Sequence, residues 1–405
     1  MSMTVVPFLM PNEKHIITQT EVLVACGRAL GMCYSQDKFE SIQNEPEETS
    51  IKRAKGCIKR GHHSGFEHVK YTFVIEDISK ILAMILNNQK SYATSEKSGR
   101  YRTLELDDEN EKKLREKWQA IFYTILSEKY YDTFYHYYAK PNVSVEKIAD
   151  NIEEAIVKKA QENSRLITGT FAKSKMVYTV NVRQLSYLRY ELKKFIEEQV
   201  TDTPFFTRLK QEMQDFIDAT AAYALDDIGL NPGAKGIKLP FFEMEEERNE
   251  EFGENYSMNY YASCATFAQL ERHRTCHYSI KIPKEKKYFI PAFIEDDESL
   301  VKEWISDLKS VTTEEDFPQA TMFLINERGR YENFIEKAQE RLCGEAQYEI
   351  AMLTKEQLNR YLENVTSENA YKHLSKINTG ARCTFGYKCA RACMFGAKCA
   401  LERKF

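Results

Sequence analysis

The sequence predicts a protein of mixed strands and helices, built as two diverged copies of one module. Three observations carry this reading. Residues 69–75 alternate in the manner of a strand, and residues 78–86 switch to helical spacing. A second stretch, ASCATFAQLERHR from Ala262 to Arg274, repeats the helix when Ser263 is aligned with Ser79. Each copy keeps what the other has lost. The first helix leads to Asn88-Gln89-Lys90 and on to Ser95-Glu96-Lys97-Ser98-Gly99-Arg100-Tyr101. The second leads to Arg272-His273-Arg274 and has no such continuation.

The elements follow in order. Val69, Tyr71, Phe73 and Ile75 alternate with Lys70, Thr72 and Val74, which gives a strand with one strongly apolar face. Ile78, Ile81, Leu82, Ile85 and Leu86 predict a helix that buries one stripe, its start capped by Asp77 or Ser79. Residues 109–140 are rich in helix formers and aromatics, and Pro141 ends that helix. Residues 144–162 read as another helix, 175–182 as a strand and 184–199 as a helix. Turn formers at 231–236 (NPGAKG) mark a boundary, and the acidic run 243–254 reads as a solvated loop. The remainder reads as shorter and helical, at 299–309 and 333–353. The expected division is a first module at 1–235, a second at 236–378 and a Cys-rich tail at 379–405.

Composition narrows the class. A chain of 405 residues, 42% hydrophobic and 29% charged, is ordinary for a globular protein with two cores. The net charge of −4 gives no general pull toward nucleic acid or a membrane surface. No apolar run approaches the roughly 18 residues of a membrane span. The start, MSMTVVPFLMPNEKH, lacks the basic, then apolar, pattern of a signal peptide. Ten cysteines without such a signal predict reduced thiols or metal ligands in a cytoplasmic protein.

Three motifs resemble those of the flavin-dependent thymidylate synthase family. Gly61-His62-His63-Ser64-Gly65-Phe66-Glu67-His68 is similar to the family's Gly-His-x-Ser/Thr-Pro-Phe-Glu-His, with Gly65 in the Pro place. Gln269-Leu270-Glu271-Arg272-His273-Arg274 resembles its Gln-Leu-x-Arg-His-Arg helix end, and Ser98-Gly99-Arg100-Tyr101 its Ser-x-Arg-Tyr. Arg341, five residues before Ala346-Gln347-Tyr348-Glu349-Ile350, resembles the late-helix Arg, with Tyr348 for the family's Trp. The matching place in the first copy is Leu192. The first copy instead keeps Asn163-Ser164-Arg165 and Asn181-Val182-Arg183 at the family's separation. The flavin-contacting Asn or His that follows is replaced by Tyr187.

The resemblance implies an α+β fold, a sheet flanked by helices, in modules that assemble as a tetramer with sites shared between subunits. A fused pair would then form a homodimer, a pseudo-tetramer with half its sites complete. One match does not fit: Arg165 lies in the first half, yet the family's phosphate-binding Arg stands on the side of the late-helix Arg. The implied activity is methyl transfer, the reductive methylation of dUMP to dTMP, in nucleotide biosynthesis. Methylenetetrahydrofolate supplies the carbon, NADPH the electrons and FAD the relay. The implied nucleotide-binding residues are Gln269, Arg272, Ser98, Gly99, Arg100 and Arg165. Arg suits a phosphate because its planar fork donates two parallel hydrogen bonds. Arg341, Glu96 and Ser98 are the implied catalytic groups. His62, Arg272, His273, Arg274, Ser95, Glu96, Asn181 and Arg183 are implied on the flavin side. Two readings stay open beside this one: flavin-dependent C5 modification of another pyrimidine nucleotide, and a non-catalytic nucleotide-binding or assembly homologue.

The tail repeats itself. Cys383-x-Phe-Gly-x-Lys-Cys389-Ala is echoed ten residues on by Cys393-x-Phe-Gly-x-Lys-Cys399-Ala. Four thiolates can hold zinc tetrahedrally or an iron–sulfur cluster, and four would leave no open position on zinc. The other reading is a basic tail with reduced thiols.

Overall fold

The computed structural model describes residues 3–7, 18–34, 36, 38–88, 92–99, 106, 108–139, 141–199, 203–230, 247–387 and 404–405. Along the chain come β1 (Thr4–Pro7), α1 (Gln19–Gly31), α2 (Phe39–Gln43), α3 (Glu47–Lys59), β2 (Lys70–Ser79), α4 (Lys80–Asn87) and β3 (Tyr92–Glu96). Then come α5 (Glu109–Lys129), α6 (Tyr131–Tyr138), α7 (Val145–Ser164), β4 (Lys173–Asn181), α8 (Val182–Glu198) and α9 (Pro204–Ala219). The rest is β5 (Glu251–Phe252), β6 (Asn255–Ser263), α10 (Cys264–Leu270), β7 (His277–Lys281), α11 (Glu298–Ser310), β8 (Met322–Arg330), α12 (Tyr331–Arg341), α13 (Tyr348–Asn364) and α14 (Glu368–Ile377). The architecture is α+β. No helix among the described residues is long and apolar enough to cross a membrane.

Two compact units emerge, and they do not follow the linear division at residue 235. One is Met1–Lys97 with Lys173–Leu239; the other is Ser98–Ala172 with Pro240–Phe405. The proposed linker at 231–236 lies outside the described residues.

The first unit holds an antiparallel sheet ordered β1-β2-β4-β3. Tyr71, Phe73 and Ile75 are buried on one face of β2, as the alternation predicts. Asp77, at φ 58°, accommodates an irregularity in register between Ile75 and Ile78. Ser79 rather than Asp77 caps α4, its hydroxyl accepting from the Leu82 N–H at 3.2 Å. The single buried stripe expected for α4 is corrected: Ile81 to Asn87 are all buried. A helix apolar on every side has no face to offer water.

The second unit holds an antiparallel sheet in the same relative order, β5-β6-β8-β7. The sequence reading of this half as helical missed the sheet. The reason is polar residues on buried strand positions, each with a partner. Asn326 Nδ2 donates to Asn259 Oδ1 at 3.1 Å. Glu327, fully buried on β8, is ion-paired with Lys337 of α12 and accepts from the Tyr260 hydroxyl at 2.7 Å. Lys337 also donates to Gln357 Oε1 at 2.6 Å and lies 5.0 Å from the Phe334 ring centroid. A buried ion pair needs such additional partners to offset desolvation.

Two expected helices are each divided. Residues 109–140 form α5 and α6, with the turn at Tyr130. Beyond that turn, Phe134 stacks on Phe405 at 4.6 Å between centroids, and Tyr130 meets the same ring edge-on at 5.3 Å. Residues 333–353 form the end of α12 and the start of α13, interrupted at 342–347. The acidic run is not wholly solvated either: Glu250 accepts the Asn259 N–H and pairs with Arg360 at 2.7 Å. Trp118 and Phe122 of α5, Ile152 and Ile156 of α7, and Trp304 and Leu308 of α11 build this unit's helical core.

Residues 165–170 are stitched into the second unit by backbone hydrogen bonds. Thr170 N–H donates to Phe317 O at 3.0 Å and Gln319 N–H to Thr168 O at 2.8 Å, around a bridge between Gly169 and Pro318. Val182 and Tyr331 open the helices that follow β4 and β8, and Gly169 and Pro318 stand at equal distances before them.

Glu111 of α5 sits at this crossing. It accepts the Gly169 N–H at 3.1 Å, and burial, with Asp316 nearby, pushes its carboxyl up to about 7. Folded protein therefore holds a proton that unfolded chain releases near pH 4.5. The associated stability is complete below that pH and is lost as pH rises through about 7. Glu111→Gln is expected to remove up to about 3 kcal/mol of this pH dependence. Thermal midpoints at pH 5 and 8 check it, and an unchanged difference between them would count against it.

Candidate functional site

In the second unit β6 runs straight into α10. Ser263 closes the strand and caps the helix, accepting the Thr266 N–H at 3.0 Å. Its own N–H and hydroxyl donate to Glu349 of α13 at 2.8 and 2.7 Å. Burial raises the Glu349 carboxyl above its ordinary range, while these donors oppose the shift. The bond fixes where α10 begins, and so where Gln269 and the turn beyond it lie.

Three sequence-predicted residues meet there. Arg165 Nη2 donates to Gln347 Oε1 at 2.7 Å, and the Gln269 amide donates to the same oxygen. Arg341 donates from Nη2 to the Gln269 backbone carbonyl. Arg165 and Arg341 are both buried. The apparent misfit of Arg165 is thereby resolved: it lies in the first half of the sequence but belongs to the unit that carries Arg341. Gln347 joins Arg165 to Gln269, and its Nε2 is buried without a hydrogen-bond partner among the described residues. Buried guanidiniums beside an unused amide donor are the donor set that an anion with a flat, carbonyl-bearing ring requires.

Arg272 and His273 follow in a 3-10 turn, both partly buried. Arg274 ends it in the left-handed region at φ 56°, exposed. His273 Nδ1 contacts the Glu340 carboxylate, which Arg382 pairs with at 2.9 Å. Burial, then the cations of Arg341, Arg382 and Arg272, pull the His273 pKa down to about 3. The imidazole is thus neutral at pH 7, with one N–H and one lone pair. This cationic turn fits the diphosphate of a dinucleotide such as FAD.

The other candidates lie elsewhere. In the first unit Glu96 is ion-paired with Lys80 and accepts from Asn87 Nδ2 at 3.4 Å; Ser95 beside it is exposed. Asn181 caps α8 by accepting the Gln184 N–H at 2.8 Å, and Arg183 pairs with Glu67. His62 is exposed. Ser98 and Gly99 are half-buried and grouped with the second unit, and Arg100 lies outside the described residues. Of the tail cysteines only Cys383 is described; Cys389, Cys393 and Cys399 lie outside. Among the described residues no cluster of His, Cys, Asp and Glu could hold a metal. A cleft of about 710 Å³ between 252–255, 330–332 and 365–370 contains none of the candidate residues. Sequence reasoning passed over Gln347 as a site residue, although it quoted the Ala-Gln-Tyr-Glu-Ile motif. It also passed over Glu340 and Arg382, which no motif marks.

Gly65, in the family's Pro place, has a local explanation. A Cβ there would lie 2.4 Å from Leu30 Cγ, and Leu30 is buried. Gly65→Pro is expected to lower stability by about 1–3 kcal/mol through overpacking. Urea denaturation of Gly65→Pro with and without Leu30→Ala checks this, since the smaller residue makes room.

The fold is α+β, and the buried guanidiniums of Arg165 and Arg341 join the Gln269–Gln347 pair. Residues 15–193 match the family model for thymidylate synthase complementing protein. Two curated relatives are named flavin-dependent thymidylate synthase. The Clostridium tetani protein is 26% identical over 197 residues, 43% of this chain and 68% of its own length. The Pyrococcus furiosus protein is 26% identical over 167 residues, 38% of this chain and 57% of its own. A crystal structure of thymidylate synthase X from Helicobacter pylori with FAD and dUMP aligns over 56% of this chain and 99% of that one. It does so at 18% identity and a TM-score of 0.30, too low to carry an inference.

Proposed function

We propose that this chain is an FAD-dependent thymidylate synthase that reductively methylates dUMP at C5, with methylenetetrahydrofolate as carbon donor and NADPH as reductant. The observation that carries the reading is one connected cluster drawn from distant parts of the chain: Arg165 and Gln269 both donate to Gln347 Oε1, and Arg341 donates to the Gln269 carbonyl. In this reading Arg165 and Arg272, with Gln269, Ser98, Gly99 and Arg100, take the phosphate. Arg341 holds a uracil carbonyl and stabilises the charge that develops on the ring as C5 attacks. Glu96 orients the pyrimidine or the flavin. His62, Ser95, Asn181, Arg183, His273 and Arg274 face the flavin. FAD, when bound, supplies hydride transfer; the protein places the two rings and excludes water.

We further propose that the two halves are diverged copies of one module, acting together in a cytoplasmic homodimer. Support comes from the shared strand order and from Ser79 and Ser263, which cap equivalent helices with nearly the same backbone angles, −68°/154° and −64°/152°.

The visible spectrum of the purified protein, before and after dUMP, tests the reading. An oxidised flavin spectrum that shifts with dUMP supports it. A shift with a different pyrimidine nucleotide alone would move the activity to that base. Colourless protein that takes up no FAD would leave a nucleotide-binding homologue without flavin chemistry.

A further inference from the structure

The Arg-His-Arg turn is gripped by Arg341 and by two residues outside every motif quoted above, Glu340 and Arg382. Arg341 and Glu340 are consecutive in the last turn of α12. The first donates to the Gln269 carbonyl and the second meets His273 Nδ1. A carboxylate at a helix C-terminus faces the negative end of the helix dipole, so Glu340 is badly placed for α12 itself. Two groups lie against its carboxylate. One is His273, whose Nδ1 contacts Oε2; the other is Arg382, whose Nη2 lies 2.9 Å from Oε1. Arg382 opens the short 3-10 turn Arg382–Phe385 after α14. That turn is pinned back on α14, with Lys376 5.7 Å from the Phe385 ring centroid.

We propose that Glu340 and Arg382 are positioning residues for His273. Glu340 accepts the imidazole Nδ1–H, and Arg382 holds Glu340 and neutralises its charge. Three consequences follow from that chain of contacts. The ring is fixed in one orientation. Nε2 keeps its lone pair and serves as the free acceptor. The carboxylate cannot draw a second proton onto the ring, because Arg382 already balances it and Arg272 and Arg341 oppose a cation there. The arrangement makes the segment after α14 part of the site's support. That this support serves the flavin rests on the function proposed above; the orientation of His273 does not.

The test uses the full chain labelled with ¹⁵N-histidine, His273 being assigned with His273→Gln. Wild type is expected to show the Nδ1–H tautomer and no protonation down to pH 5. Glu340→Leu is expected to mix the tautomers, and Glu340→Gln to retain Nδ1–H because an amide oxygen still accepts. Arg382→Ala, on a largely exposed side chain, is expected to keep the tautomer but let His273 titrate at higher pH. FAD affinity is the second readout. Arg382→Ala and Glu340→Leu should each weaken it about tenfold. The double variant should be no weaker than Glu340→Leu alone, since the two act in series. Unchanged ¹⁵N shifts in Glu340→Leu, or effects that multiply in the double variant, would overturn the proposal. Wild type that binds no FAD would remove the flavin function, and the tautomer measurement would still decide the positioning.

Discussion

Arg341→Leu is expected to lower the rate of dTMP formation about 10²–10³-fold, the cost of removing one donor that stabilises developing charge. The flavin spectrum should remain, because the Arg-His-Arg turn is intact. The substitution gives α12 the residue that α8 carries at Leu192. It should therefore reproduce in the second half the loss inferred for the first. Arg341→Lys should not rescue the rate, since an ammonium cannot donate in the same planar, forked geometry. Initial rates with saturating FAD, alongside thermal midpoints, separate this effect from damage to the Gln269 carbonyl contact. A variant with near wild-type turnover would remove Arg341 from the chemistry.

The second large effect concerns stability. Lys337→Leu alone leaves the fully buried Glu327 without its cation, among tyrosine hydroxyls such as that of Tyr260, and should cost about 3–5 kcal/mol. Glu327→Tyr with Lys337→Leu copies Tyr178 and Leu188, which hold the equivalent places on β4 and α8 and are fully buried. The double variant should recover most of that loss, because an apolar pair of similar volume has no desolvation penalty to offset. Urea denaturation of the two single variants and the double variant gives the coupling directly. Additive losses would mean that the two halves pack too differently for the exchange.

Much of the fold was legible in the residues. The alternation around Tyr71, Phe73 and Ile75 gave β2. Ser144 opened α7 as its cap, accepting the Lys147 N–H at 3.2 Å, and Ser79 and Ser263 each cap the helix that follows. The second sheet was not legible. Asn259, Asn326 and Glu327 occupy buried strand positions, and a polar residue in a strand looks exposed until its partner is known. The break between α12 and α13 was equally hidden, since residues 333–353 keep good helix formers on both sides of it. In the site, Arg165, Gln269 and Arg341 could be named from motifs. Glu340 and Arg382 could not, because an ion pair 42 residues apart leaves no periodic trace.

The sequence by itself determined the order and spacing of the motif residues, and the switch from strand to helix across residues 69–86. These are properties of composition and spacing, which local chemistry imposes on the chain directly. Only the tertiary structure decided that residues 98–172 fold with the second unit, so that Arg165 reaches Gln347 in the unit that also carries Arg341. That choice depends on backbone hydrogen bonds between Thr168–Thr170 and Phe317–Gln319 and on Trp118 packing against Trp304 at 4.9 Å. Both are contacts between residues more than a hundred positions apart. Their energy exists only once the chain has closed the loop between them, and no local pattern records it.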